Sequence, residues 1–92
     1  MSEPAAPPDA TGLEFPCAYP LKLIGRRTPE FPERMLAIIQ RRPGRLAGEP
    51  AERLSRDGTF LSLAVTVNVE TRAELDALFR ELHATGLVLF AL

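Results

Sequence analysis

From Leu61 to Val69 every odd position is apolar, namely Leu61, Leu63, Val65, Val67 and Val69. The even positions Phe60, Ser62, Ala64, Thr66 and Asn68 carry a mixed set. A period of two over this length predicts a strand with one buried face, and it is the clearest signal in the chain. A second alternation runs from Tyr19 to Gly25, with Tyr19, Leu21 and Leu23 on one face and Lys22 and Ile24 on the other. Between them, Met35, Ile38 and Ile39 fall at i, i+3 and i+4, which predicts a helix over Pro32 to Arg42. Pro32 is compatible with the first turn, and Pro43-Gly44 stops the helix after Arg41 and Arg42 have complemented its dipole. The segment Ala51 to Arg56 is short, polar and preceded by Pro50, as an edge strand is, and Asp57-Gly58 signals a two-residue type I′ hairpin into the apolar strand.

Past that strand, Thr71 and Glu74 form a capping box, Leu75, Leu78, Phe79 and Leu82 follow at helical spacing, and Gly86 ends the second helix. The closing LVLFAL, Leu87 to Leu92, is too short for a helix and reads as a strand needing a neighbour on each side or a covering layer. The order is β-α-β-β-α-β. With right-handed crossovers this is an α+β, ferredoxin-like fold: a four-stranded antiparallel sheet with two helices on one face. Leu21, Leu23, Leu63, Val65 and Val67 are expected to face those helices. Residues 1–12 are proline- and alanine-rich without apolar periodicity and are expected to be a disordered tail, leaving residues 13–92 as one domain.

Composition narrows the function classes. The 92 residues are 46% hydrophobic and 25% charged with net charge −1, which suits one small globular domain and supplies no basic field for nucleic acid or an anionic membrane. A single cysteine, Cys17, rules out an internal disulfide, and a single histidine, His83, leaves no Cys/His cluster for zinc, so no metal or tightly bound cofactor is expected. The N-terminal stretch has no basic region followed by an apolar run, and the expected compartment is the cytoplasm.

Three chemistries compete for this topology. RNA-reading members stack bases on aromatics of the two central strands, but here Phe60 faces Lys22 and Ile24 rather than a second ring near the hairpin, and Thr59 stands where an aromatic is needed. An acylphosphatase-like hydrolase would use the loop after the first strand, with Arg26, Arg27 or Arg34, and Asn68 to orient water. Pro29 and Pro32 remove backbone donors that such a phosphate cradle needs. A Cys17–His83 dyad has no third group to orient it; Cys17 reads as a packing residue and His83 as a cap or surface cation. The remaining candidate is Gly25-Arg26-Arg27, a turn beside a helix N-terminus where two arginines could receive a carboxylate, a phosphate or a partner. The competing reading is two solvated loop arginines, and Arg41, Arg42 and Arg45 read as a solvated turn near Glu49 and Glu52.

The stretches FPCAYPLKLIG (Phe15 to Gly25), DGTFLSLAVTVNVETRAELDALFREL (Asp57 to Leu82) and the terminal VLFAL together resemble the YbeD-like family of small bacterial proteins, over about Phe15 to Leu92. Asp57 departs from that pattern, standing where the family usually has lysine. The resemblance implies a ferredoxin-like domain similar to the ACT regulatory domains of amino-acid metabolism, with members often encoded near lipoate-biosynthesis genes. By that analogy a ligand would sit by Gly25, Arg26 and Arg27 at a subunit interface. The expected function is a non-enzymatic regulatory or interaction module of bacterial metabolism that forms a homodimer or docks on a metabolic enzyme. Lys22, Ile24 and Phe60 are its expected interface, with neither nucleic acid nor membrane as partner.

Overall fold

The computed structural model describes residues 14–92. The expected tail over residues 1–12 lies outside them, as does Leu13. The elements run β1 (Cys17–Arg26), α1 (Glu30–Ile39), β2 (Leu46–Leu54), β3 (Phe60–Val69), α2 (Arg72–Ala84) and β4 (Val88–Ala91). All strand pairs are antiparallel and the sheet order is β2-β3-β1-β4, the ferredoxin-like arrangement that two crossovers on one face produce.

The centre of the sheet is the long β1–β3 pair, in register from Cys17 opposite Val69 to Arg26 opposite Phe60. Its odd positions meet the helices. Leu21, Leu23, Leu63, Val65 and Val67 are all buried, together with Phe31, Met35, Ile38 and Ile39 from α1 and Leu75, Leu78 and Leu82 from α2. Phe79 stands at the margin of this core and meets Tyr19 edge-on, with ring centroids 6.2 Å apart.

Several boundaries differ from those the sequence predicts. Helix α1 starts at Glu30 because Thr28 accepts the Phe31 amide through both its carbonyl and its hydroxyl, so the chain turns before Pro32. It ends at Ile39. Arg41 and Arg42 therefore lie beyond the helix rather than on its last turn, and they point to α2 instead. Strand β2 begins at Leu46, earlier than Ala51, and its register shifts between Ala47 and Ala51. Gly48 and Pro50 look like strand breakers in one dimension, but an edge strand absorbs both as a bulge.

The hairpin is also not a two-residue turn. The Gly58 amide donates to the Ser55 carbonyl at 3.0 Å, which makes Arg56 and Asp57 the central pair, with Gly58 following at φ +77°. The Ser55 hydroxyl and the Thr59 amide both donate to Asp57 Oδ1 at 3.0 Å, and these local bonds select the longer loop. At the other end of the chain, β4 is an edge strand with β1 as its neighbour on one side. Val88 and Ala91 pack towards the core, while Leu89, Phe90 and Leu92 remain exposed, so the covering layer that the apolar run suggested is not supplied by the described residues.

Gly25 lies inside β1, opposite Leu61 and Val88, and not in the following loop. Space, rather than an unusual backbone conformation, requires glycine here. A Cβ would stand 2.5 Å from the Leu87 carbonyl oxygen and 2.7 Å from Phe31 Cε1, both held by the core. Gly25→Ala is expected to cost more than about 2 kcal/mol through overpacking. Gly58→Ala, with open space around it but φ +77°, is expected to cost about 1 kcal/mol. Urea unfolding of the two variants checks this ranking, and equal losses would refute the close-packing explanation.

Candidate functional site

Because both helices cover the odd positions of β1 and β3, the even positions form an open sheet face. Lys22, Ile24 and Phe60 all lie on it, as the alternation predicts. Register fixes their neighbours: Ile24 sits between Phe90 and Ser62, and Lys22 sits between Ala64 and Leu92, whose backbone exchanges two hydrogen bonds with that of Lys22. Phe90 is 64% exposed and Leu92 66%. Beside Lys22, a shallow hollow of about 390 Å³ is lined by Pro20, Glu49, Ala51, Ala64, Thr66 and Leu92.

The three loop residues do not converge. Gly25 is buried against Phe31. Arg26 is the last residue of β1 and lays its guanidinium over the Phe60 ring, 6.0 Å from the centroid, on the open face. Arg27 donates its amide to the Thr59 carbonyl at 3.0 Å, and it lines a different groove of about 570 Å³ between the start of α1 and β2, with Pro29, Pro32 and Leu54. Asn68, the residue a hydrolase would need near these arginines, pairs with Ala18 at the opposite end of the β1–β3 ladder, on the order of 25 Å away along the strands. Its side-chain amide donates to the Gly44 carbonyl at 2.8 Å. His83 stacks on Phe79, with ring centroids 6.5 Å apart.

Phe90, Leu92 and Arg53 are members of the open face that sequence reasoning missed. LVLFAL is apolar throughout, so which of its side chains face outward depended on knowing that β4 pairs with β1. A second aromatic therefore does share the face with Phe60, although on β4 and with Ile24 between them, about 10–12 Å from Phe60 by strand spacing and rise. Consecutive stacked bases need a closer pair of rings.

A cluster of charged groups on the helix side was also misread. Arg42, Arg45 and Glu74 meet where the α1–β2 turn crosses the start of α2, so the basic turn is paired with α2 rather than with Glu49 and Glu52. Arg45 Nη2 lies 2.9 Å and Arg42 Nη1 3.0 Å from Glu74 Oε2, and Arg41 reaches Glu81 at 3.6 Å. Glu74 Oε1 accepts the Glu70 amide at 2.8 Å, and the Glu74 amide donates to the Thr71 hydroxyl at 3.0 Å. The Glu70 amide first, and then the Arg45 hydrogen bond and the charges of Arg42 and Arg45, hold the Glu74 carboxyl below its ordinary 4.5 against burial, which pushes it up. Among the described residues Arg45 Nε is buried without a hydrogen-bond partner, so the cluster is not fully satisfied. Its geometry is that of a clamp between two segments distant in sequence.

Residues 10–92 match a family described as "Protein of unknown function (DUF493)". The chain belongs to the DUF493 family. Relatives at about 35% identity extend the assignment over most of its length and agree with the YbeD-like resemblance of its strands. A UPF0250 protein of Bordetella pertussis is 34% identical over 89% of this chain and 91% of the relative. One of Ralstonia nicotianae is 35% identical over 92% and 89%, and one of Vibrio cholerae 36% identical over 83% and 82%. No solved structure matches the chain.

For this DUF493 chain the clamp yields a pH prediction. A carboxyl whose folded-state pKa lies below its unfolded value contributes stability that is complete above about pH 4.5 and is lost as pH falls through the folded value. Glu74→Gln is expected to lower stability by roughly 2 kcal/mol at pH 7, because two arginines lose their counter-charge, and by much less at pH 3. Urea midpoints for wild type and variant between pH 7 and pH 3 measure this. Curves that stay parallel across the range would remove Glu74 from the acid response.

Proposed function

We propose that this DUF493 protein is a non-enzymatic interaction module of bacterial metabolism that acts by docking on a partner protein through the open face of its sheet. The observation that carries this reading is the apolar group of exposed Phe90 and Leu92 with half-buried Ile24, laid side by side on the face opposite the helices and bordered by Phe60. Contiguous exposed apolar surface on a small domain marks an interaction site more often than a site for chemistry. The carboxylates with lowered pKa support the same reading, since Glu74 is engaged with a backbone amide and two arginines and Asp57 with the Thr59 amide and the Ser55 hydroxyl.

The face is also favoured over small-molecule sensing at the loop after β1. Phe31 and the Leu87 carbonyl occupy the space beside Gly25, and the Arg27 amide already has a partner in Thr59. Arg26 belongs to the docking face, and Arg27 lies around its edge. Regulation would then follow from occupancy of the face by a metabolic enzyme, and the single thiol of Cys17 suits a reducing compartment such as the cytoplasm.

Phe90→Ser/Leu92→Ser and Arg26→Ser/Arg27→Ser tests the assignment, because all four side chains are exposed and each pair is expected to leave stability within about 0.5 kcal/mol per residue. In pull-downs from the native host, a partner held by wild type is expected to fall at least tenfold with the Phe90/Leu92 variant, and less with the Arg26/Arg27 variant. Retention of every partner at wild-type yield by both variants would remove the face as a contact.

A further inference from the structure

The open face is charged as well as apolar. Lys22 and Arg26 on β1 and Arg53, opposite Ser62, on β2 occupy strand positions of this face, and the carboxylate that lines its hollow is Glu49, in the irregular stretch of β2. Among the described residues no ion pair joins these three cations to a carboxylate; Arg26 rests on Phe60, and Glu49 lines the hollow that Lys22 also lines, so positive charge on this face is in excess. The chain as a whole carries −1, so this concentration of positive charge is a local property of one surface.

We infer that the partner segment seated on this face is an acidic amphipathic helix of another protein. The inference rests on the docking reading above and names its chemistry. A helix about 10 Å across covers two to three strands spaced about 4.8 Å apart. Laid over β4, β1 and β3, it would place its apolar stripe on Phe90, Leu92, Ile24 and Ala64. Arg53 on β2 and Arg26 at the end of β1 then lie along its flank, and Lys22 reaches out past its own aliphatic stem. Carboxylates on the flanking helix positions would meet these cations in a partly desolvated rim, where complementary charge sets partner choice and association rate.

Two other occupants fit less well. A second copy would bring the same excess of cations to the interface and no added carboxylate to match them, because an isologous interface presents the same patch from both sides. A single-stranded nucleic acid would meet the Phe60 ring already covered by Arg26, with the aliphatic Ile24 between it and Phe90.

The probes are a labelled helical peptide of four turns, about 16 residues, with Leu and Phe on one face and Glu on the other, and its twin with Lys for every Glu. Fluorescence anisotropy is measured with the intact protein and with Phe90→Ser and Lys22→Glu/Arg26→Glu/Arg53→Glu, each first shown to melt as wild type does. The acidic peptide is expected to bind at least tenfold more tightly than its lysine twin. Each variant is expected to weaken it at least tenfold, and so is raising salt to 0.5 M for wild type, by screening. Equal binding of both peptides with loss in Phe90→Ser would overturn the acidic partner while leaving the docking face in place. Absence of binding, or binding indifferent to Phe90→Ser, would overturn both. A concentration-dependent dimer abolished by Phe90→Ser would assign the face to a second copy, and tighter binding of a single-stranded oligonucleotide, lost in Phe60→Ala, would assign it to nucleic acid; either result overturns the inference.

Discussion

The burial of one side of the β1–β3 pair is the constraint on which the rest of the structure depends. Five consecutive odd positions of β3 are apolar, and a slip of one residue in pairing would turn all of them to solvent. Register is therefore fixed by the hydrophobic effect before any turn or cap is considered. Once fixed, it requires both helices on the same side, since Leu21 and Leu23 of β1 bury towards the same layer. The opposite side of the sheet is left without a covering layer as a direct result. What makes the fold stable on one face makes the other available.

Two close contacts sharpen this arrangement. Phe31, on the first turn of α1, approaches the backbone of β1 at Gly25 so closely that no side chain fits between them. That seats the helix against the sheet where β1, β3 and β4 meet. At the other end, Glu74 gathers Arg42 and Arg45 from the α1–β2 turn while its own amide and the neighbouring Glu70 amide complete the start of α2. One carboxylate thus serves as helix cap and inter-segment clamp. Removing its charge strands a buried guanidinium, a larger penalty than the loss of a surface ion pair.

The face left open carries an unusual combination for so small a chain of near-neutral charge. Its apolar residues come mainly from β4 and β1 and its cations from β1 and β2, so hydrophobic area and positive charge meet on β1, where Lys22 and Arg26 flank Ile24. This geometry is better suited to selecting a protein segment than to holding a small molecule, and the hollow beside Lys22 is correspondingly shallow.

The sequence by itself determined what each segment is and which of its sides is buried. Period two in β1 and β3, helical spacing around Met35 and Leu78, and the Thr71–Glu74 cap are local patterns, each set by the geometry of a single element, and the ferredoxin-like order follows from reading them in sequence. The same alternation placed Lys22, Ile24 and Phe60 on the open side. Only the tertiary structure decided which elements become neighbours. Phe90 and Leu92 join the face because β4 pairs with β1 at a sheet edge, and Arg45 meets Glu74 because a crossover brings together residues 29 positions apart. Gly25 reads as the end of a strand until Phe31 is seen against it. Local periodicity reports the shape of one element, whereas pairing, close approach and ion-pair partners are set by the free energy of the whole packed chain.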